Sequence, residues 1–166
     1  GYSADNVQMT PGSKSALFNL LFCLQGPLLL PSPSWVSYAP QAQLLGKEVI
    51  SLPASFADRY ILQPPTLRRV CESLGKSGQK ILLLNSPNNP TGQQYPQSVL
   101  NALAVVCQEY GVIVISDEIY AGVLFPGRQH SSMYYAYPEK TIVTSGLSKL
   151  LSGGGYRLGF CMVQHR

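Results

Sequence analysis

Three stretches of this sequence gather residue types that suit chemistry better than packing. Asn85-Ser86-Pro87-Asn88-Asn89-Pro90-Thr91-Gly92, Asp117-Glu118-Ile119-Tyr120 and Ser145 to Lys149 supply an amide at Asn89, a carboxylate at Asp117, a phenol at Tyr120 and a primary amine at Lys149. Arg157 adds a guanidinium eight residues after that lysine, and Gly12-Ser13-Lys14 reads as the opening of a helix. Phosphate suits the last two, because exposed N–H groups at a helix N-terminus and a bidentate guanidinium both match its oxygens. An amine beside such an anion site suits a phosphorylated carbonyl ligand held as a Schiff base.

The elements that must position these groups alternate along the chain. Helical spacing is predicted over 13–24, where Leu17, Phe18, Leu20, Leu21 and Leu24 share one broad face ahead of Gly26. Helices are also predicted over 33–45 and 66–74, stopped by Gly46 and Gly75, and over 96–110, with proline in the first turn and Gly111 beyond the end. Between them lie apolar runs at 28–30, 48–52, 81–84, 112–115 and 141–144 that lack polar alternation, as strands covered on both faces do. The order implies an α/β fold, a three-layer α/β/α domain around a mostly parallel sheet. The last run, Leu158 to Val163, follows Gly153-Gly154-Gly155 without an intervening helix and is expected to return antiparallel. Each polar stretch follows a strand, and the carboxyl ends of parallel strands share one rim where ligands bind. The three stretches are therefore expected to meet around one pocket.

Composition narrows the setting. The 166 residues fit a single domain, 45% of them apolar and 12% charged, against roughly 25% charged in an ordinary domain. Part of the surface is expected to be covered by something else. The net charge of +4 comes from scattered lysines and arginines without a basic stripe, so no nucleic-acid partner is expected. Cys23, Cys71, Cys107 and Cys161 form no CxxC or Cys/His cluster and read as buried free thiols in a reducing compartment. With His130 and His165 as the only histidines, no metal site is expected either. No run approaches the roughly 20 apolar residues that span a bilayer, so no membrane association is expected. The chain opens on Gly1 without an initiator methionine and stops at Arg166 after an apolar run, so both ends read as cut. The expected location is cytoplasmic, with any targeting segment lying outside this stretch.

Taken together, NSPNNPTG at 85–92, SDEIYAGVLF at 116–125 and SGLSKLLSGGGYRLGF at 145–160 resemble the signature segments of the class I/II aminotransferases, which are pyridoxal-phosphate (PLP) enzymes of fold type I. The resemblance extends over essentially the whole chain. It implies that residues 1–166 form the PLP-binding large domain, without the family's N-terminal arm and C-terminal small domain, and that the parent protein is a homodimer. It also implies that Lys149 forms the internal aldimine and shuttles the substrate proton, where an isolated lysine would simply be a surface residue. Asp117 corresponds to the carboxylate that pairs with the pyridine nitrogen; a capping aspartate is the ordinary alternative. Tyr120 and Asn89 match the groups that hydrogen-bond the cofactor's phenolic oxygen. Arg157, with the turn of Gly12, Ser13 and Lys14, matches the phosphate site, to which Ser148 adds either a hydroxyl or only a helix cap. Trp35 aligns with the aromatic that stacks on the ring, with Tyr38 a rival for that duty. The sequence departs from the family where a phosphate-touching serine often stands three residues before the lysine: here that residue is Gly146, with Ser145 one step earlier.

The implied activity is PLP-dependent transfer of an amino group between an amino acid and a 2-oxo acid, within amino acid metabolism. Carbon–sulfur lyases and cyclopropane-forming synthases share the scaffold and stay open as alternatives, as does a non-catalytic PLP-binding remnant. A nucleotide-binding Rossmann domain is disfavoured, because no GxGxxG follows a first strand. In the family, the arginine that clamps the substrate carboxylate comes from the small domain. Neither His165 nor Arg166 stands in a matching motif, so substrate identity is not written in this stretch.

Overall fold

The computed structural model describes residues 3–164, leaving Gly1, Tyr2, His165 and Arg166 outside the described residues. Seven strands form one sheet: β1 (Val7–Thr10), β2 (Leu28–Ser32), β3 (Val49–Pro53), β4 (Ile81–Asn85), β5 (Ile113–Asp117), β6 (Thr141–Gly146) and β7 (Gly159–Met162), in the order β1-β7-β6-β5-β4-β2-β3. Strands β2 to β6 are mutually parallel, and β7 runs antiparallel between β6 and β1. The sheet is thus mostly parallel with a reversed last strand, as the sequence predicts. β1 was not predicted: it is largely exposed and takes its order from β7, pairing Val7 with Met162 and Thr10 with Gly159.

The helices are α1 (Ser13–Cys23), α2 (Tyr38–Leu44), α3 (Pro64–Leu74), α4 (Gln97–Tyr110) and the four-residue α5 (Met133–Ala136) and α6 (Leu147–Leu150). In β4, Ile81 and Leu83 join one core with Leu17 and Leu21 of α1 and Ala42 of α2, while Leu82 and Leu84 join another with Leu67, Leu100 and Leu103 of α3 and α4. The two-residue alternation of a strand therefore builds both outer layers from one unbroken apolar run. Each fully buried leucine here contributes about 2 kcal/mol of burial. α4 shows how its ends are set: Pro96 precedes it at the N-cap, and Gly111, at φ 66°, turns the chain out through a left-handed conformation. α2 is shorter than the predicted 33–45, because Pro33 to Ser37 forms an irregular turn before Tyr38. Cys71, Cys107 and Cys161 are buried free thiols, whereas Cys23 is free but exposed, against expectation, because it faces outward at the end of α1.

The sheet opens where a ligand is expected. β2 stays in register with β3 as far as Ser32, and β4 with β5 as far as Asn85 opposite Asp117, but β2 pairs with β4 only through Leu28 and Leu29. Past those residues the two strands part. The chain winds outward on opposite sides of this gap, which makes it the switch point of an open α/β sheet. Among the described residues, no helix is long and apolar enough to cross a membrane.

Candidate active site

A pocket lies at this rim, lined by Ser13, Trp35, Asn89, Asp117, Tyr120 and Lys149 of the residues singled out in the sequence. Tyr38, Asn85 and Ile119 complete its wall. Ser13 comes from the start of α1, Trp35 from the turn after β2, Asn89 from the loop after β4, Asp117 and Tyr120 from the end of β5, and Lys149 from α6 after β6. The structure thus brings five separate segments of the chain together. Gly12 and Arg157 adjoin the pocket, Lys14 stands beside Trp35, and Ser148 precedes Lys149 in α6 without lining the pocket.

Asp117 is the most deeply set of these groups, 2% exposed at the last position of β5. Its Oδ2 accepts a hydrogen bond from the Tyr38 hydroxyl at 2.7 Å, and its Oδ1 accepts one from the Ile119 N–H at 3.2 Å. Burial pushes its carboxyl up to about 6, although both hydrogen bonds pull the other way by favouring the charged form. Asn85, its register partner on β4, clamps this corner: its amide donates to the Asp117 carbonyl at 3.0 Å, and its Oδ1 accepts the Asn89 N–H at 2.7 Å. The Asn89 side chain is therefore presented by a loop tied to the strand below. Asn88 tightens that loop further, its Oδ1 accepting from the Thr91 hydroxyl at 2.9 Å.

Lys149 reaches the pocket from α6, with its Nζ 5.6 Å from the centroid of the Tyr120 ring. Leu150, the next residue, fills the space over Gly122, where a Cβ would lie 2.7 Å from the leucine side chain. That contact seats α6 against the turn after β5. Trp35 meets Tyr38 edge-on, with centroids 5.2 Å apart and planes at 80°, and the Lys14 ammonium sits 4.9 Å from the indole centroid.

The side of the pocket beside α1 is built from backbone in close contact. The N–H groups of Ser13 and Lys14 open an eleven-residue helix and have no preceding helical carbonyl to donate to. Gly12 has φ 88°, and a Cβ on it would lie 2.2 Å from Nη2 of Arg157, so the guanidinium rests directly on the turn. Arg157 is held there by a 2.6 Å hydrogen bond to the Gly154 carbonyl. Gly159 approaches from β7 just as tightly, since a Cβ there would lie 2.3 Å from the Ser13 nitrogen. Gly146 has the same explanation: a side chain would meet the Leu158 carbonyl oxygen at 2.7 Å. The serine common at that position in the family has no room against β7 here, and Ser145 does not replace it, its hydroxyl donating instead to the Glu118 carbonyl at 3.2 Å.

Two wall residues escaped sequence reasoning as site groups. Asn85 was legible only as part of a polar loop, although its place at the last position of β4, level with Asp117, marks it. Tyr38 was weighed as a stacking aromatic and serves instead as a hydrogen-bond donor to the buried acid.

The chain is similar to known proteins in sequence and in fold. The chain is 36% identical over 155 residues to an aspartate/prephenate aminotransferase of Thermus thermophilus, covering 92% of this chain and 39% of that protein. It is 30% identical to an aspartate aminotransferase of Bacillus subtilis, covering 96% of this chain and 41% of that one. The solved aspartate aminotransferase of Thermus thermophilus with maleate superimposes with a TM-score of 0.89 at 33% identity, over 98% of this chain and 42% of that structure. A PLP-bound C-S lyase of Staphylococcus hominis matches with a TM-score of 0.92 at 22% identity, over 100% of this chain and 43% of that structure, a likeness of fold alone. The chain thus spans about two fifths of the length of these relatives. The family model for aminotransferase class I and II matches residues 2–166, and the chain belongs to that family.

Proposed function

We propose that the full-length protein is a PLP-dependent aminotransferase in which Lys149 anchors the cofactor and carries the substrate proton. One observation supports this above the others: a single pocket joins an amine, a buried carboxylate and a helix N-terminus backed by a guanidinium. Those groups match the aldehyde, ring nitrogen and phosphate of PLP. The fit is also electrostatic, since a carboxyl raised to about 6 by burial gains from a positive charge beside it, such as a protonated pyridine nitrogen.

When bound, PLP supplies an electron sink that weakens the bonds to the substrate Cα. The chain's own residues do the rest in this reading. The Lys149 amine takes the Cα proton and delivers it again as general base and acid. Asp117 keeps the ring nitrogen protonated, Tyr120 and Asn89 donate to the phenolic oxygen, and Trp35 covers the ring face and keeps water from it. At the turn made by Gly12, whose own N–H is taken by the Thr10 carbonyl, Ser13 and Lys14 offer backbone N–H groups to the phosphate, joined by Arg157 and by the Ser148 hydroxyl.

The substrates in this reading are an amino acid and a 2-oxo acid, with aspartate as the donor, as the names of the relatives suggest. Transamination is favoured over lyase chemistry because the aminotransferase relatives reach 36% identity, whereas the lyase likeness is one of fold. The parent protein is further proposed to act as a cytoplasmic homodimer. Val36, Phe125 and Tyr156, all more than 80% exposed, suit covered faces, and four free thiols suit a reducing compartment. Borohydride reduction of the PLP-loaded full-length protein, followed by peptide mapping, should label Lys149. Lys149→Ala should lose the label and on the order of 10³-fold in amino transfer from aspartate to 2-oxoglutarate. A label elsewhere, or β-elimination of a thioether outpacing amino transfer, would overturn this reading.

A further inference from the structure

We infer that Tyr38 is a positioning residue for Asp117: its hydroxyl, 2.7 Å from Oδ2, fixes the plane of the carboxylate and holds it as an acceptor toward the pocket. What Asp117 faces rests on the function proposed above; the contact itself does not.

Three observations carry the inference. Tyr38 is 1% exposed and among the largest fully buried side chains, so its hydroxyl has no water to turn to. The two oxygens of Asp117 are gripped from different elements, Oδ2 by Tyr38 at the start of α2 and Oδ1 by the Ile119 N–H beyond β5, which blocks rotation of the carboxylate about its own axis. The Tyr38 ring is itself fixed edge-on against Trp35, so the donor cannot swing away without disturbing the indole.

The choice of a phenol matters chemically. Burial, reinforced by the charge of Asp117, pushes Tyr38 well above the ordinary tyrosine value, so across the neutral range it stays a neutral donor and never takes the proton. The other ionisable groups around this carboxylate are Glu118, the residue after β5, Tyr120 in the following turn and Lys149 from α6. A donor to the charged form makes a carboxylate less basic. Tyr38 thereby favours leaving a shared proton on the cation opposite Asp117.

The test uses the full-length protein. Tyr38→Phe keeps the ring against Trp35 and removes only the donor. In the cofactor-free form, the pH midpoint at which Asp117 affects thermal unfolding, defined by difference from Asp117→Asn, should rise by about one pH unit. PLP binding at neutral pH, followed by its absorbance, should weaken about tenfold. Site-specific 3-fluorotyrosine at position 38, of nearly the same shape but a stronger donor, should move the midpoint down, which keeps the test decisive if the phenylalanine variant does not fold. Midpoints that stay put under these replacements, or that move while PLP affinity does not, overturn the inference. Failure of the wild-type protein to bind PLP would overturn the proposed function instead, and the midpoints would still decide whether Tyr38 governs Asp117.

Discussion

Asp117 ends β5 and Glu118 follows it, consecutive carboxylates 2% and 7% exposed, yet their partners lie on opposite faces of the sheet. On the side of α4 and α5, Glu118 is engaged at both oxygens by three side chains: Ser116 and Ser132 donate to Oε1 at 2.8 and 2.6 Å, and His130 Nε2 lies 2.6 Å from Oε2. On the side of α1 and α2, Asp117 accepts from the Tyr38 hydroxyl on Oδ2 and from the Ile119 N–H on Oδ1 and lines the pocket. A buried carboxylate can accept about four hydrogen bonds. The contrast separates an acid that holds structure together from one kept available for a ligand.

That contrast can be broken most readily at Glu118. Replacing it with alanine leaves Ser116, Ser132 and His130 with buried polar groups that lose their acceptor, and should cost on the order of 4 kcal/mol in urea unfolding of the full-length protein. A loss below about 1 kcal/mol would remove the structural role assigned to it.

Asp117→Asn should do the reverse. Because the folded carboxyl is raised from 3.8 to about 6, there is no penalty below pH 3.8, where both states are protonated; stability is lost as pH rises from there through about 6. The full penalty is about 3 kcal/mol. The cofactor-free asparagine variant should therefore be more stable than wild type by about that amount at pH 8, with this pH slope gone, while binding PLP more weakly. Equal stability of the two proteins at pH 8 would contradict the burial penalty. Smaller effects sharpen the picture on the other face. His130→Ala should cost about 2 kcal/mol. Ser132→Ala, which loses both the Glu118 contact and the cap on the Tyr134 N–H, should cost about 1 kcal/mol. Thermal unfolding ranks the pair, and a reversed order would shift the weight of the network from the imidazole to the cap.

Much of this was legible before any coordinates. The buried strands announce themselves because an element covered on both faces must be apolar throughout, and the polar segments at their carboxyl ends locate the rim. β1 was not legible, since Val7–Thr10 is an exposed edge whose order comes from partners at the other end of the sequence. The start of α2 was not legible, because helical spacing alone does not reveal that Pro33 to Ser37 turns before the helix begins. In the site, motif residues were found by their chemistry. Tyr38 was seen only as an aromatic, because nothing local tells that its hydroxyl meets a carboxylate 79 residues away. Gly146 looked like a missing contact, and only the nearness of Leu158 shows it to be a steric necessity.

The meeting of Gly159 with Ser13 has a consequence for biogenesis. A ribosome delivers the first half of this anion cradle early and the second only after the other six strands have been made, and β1 has no seat in the sheet until β7 arrives between it and β6. A nascent chain that has reached α6 carries Lys149 yet still lacks Gly159 against the Ser13 turn. In the proposed reading, phosphate capture should therefore report completed assembly of the sheet.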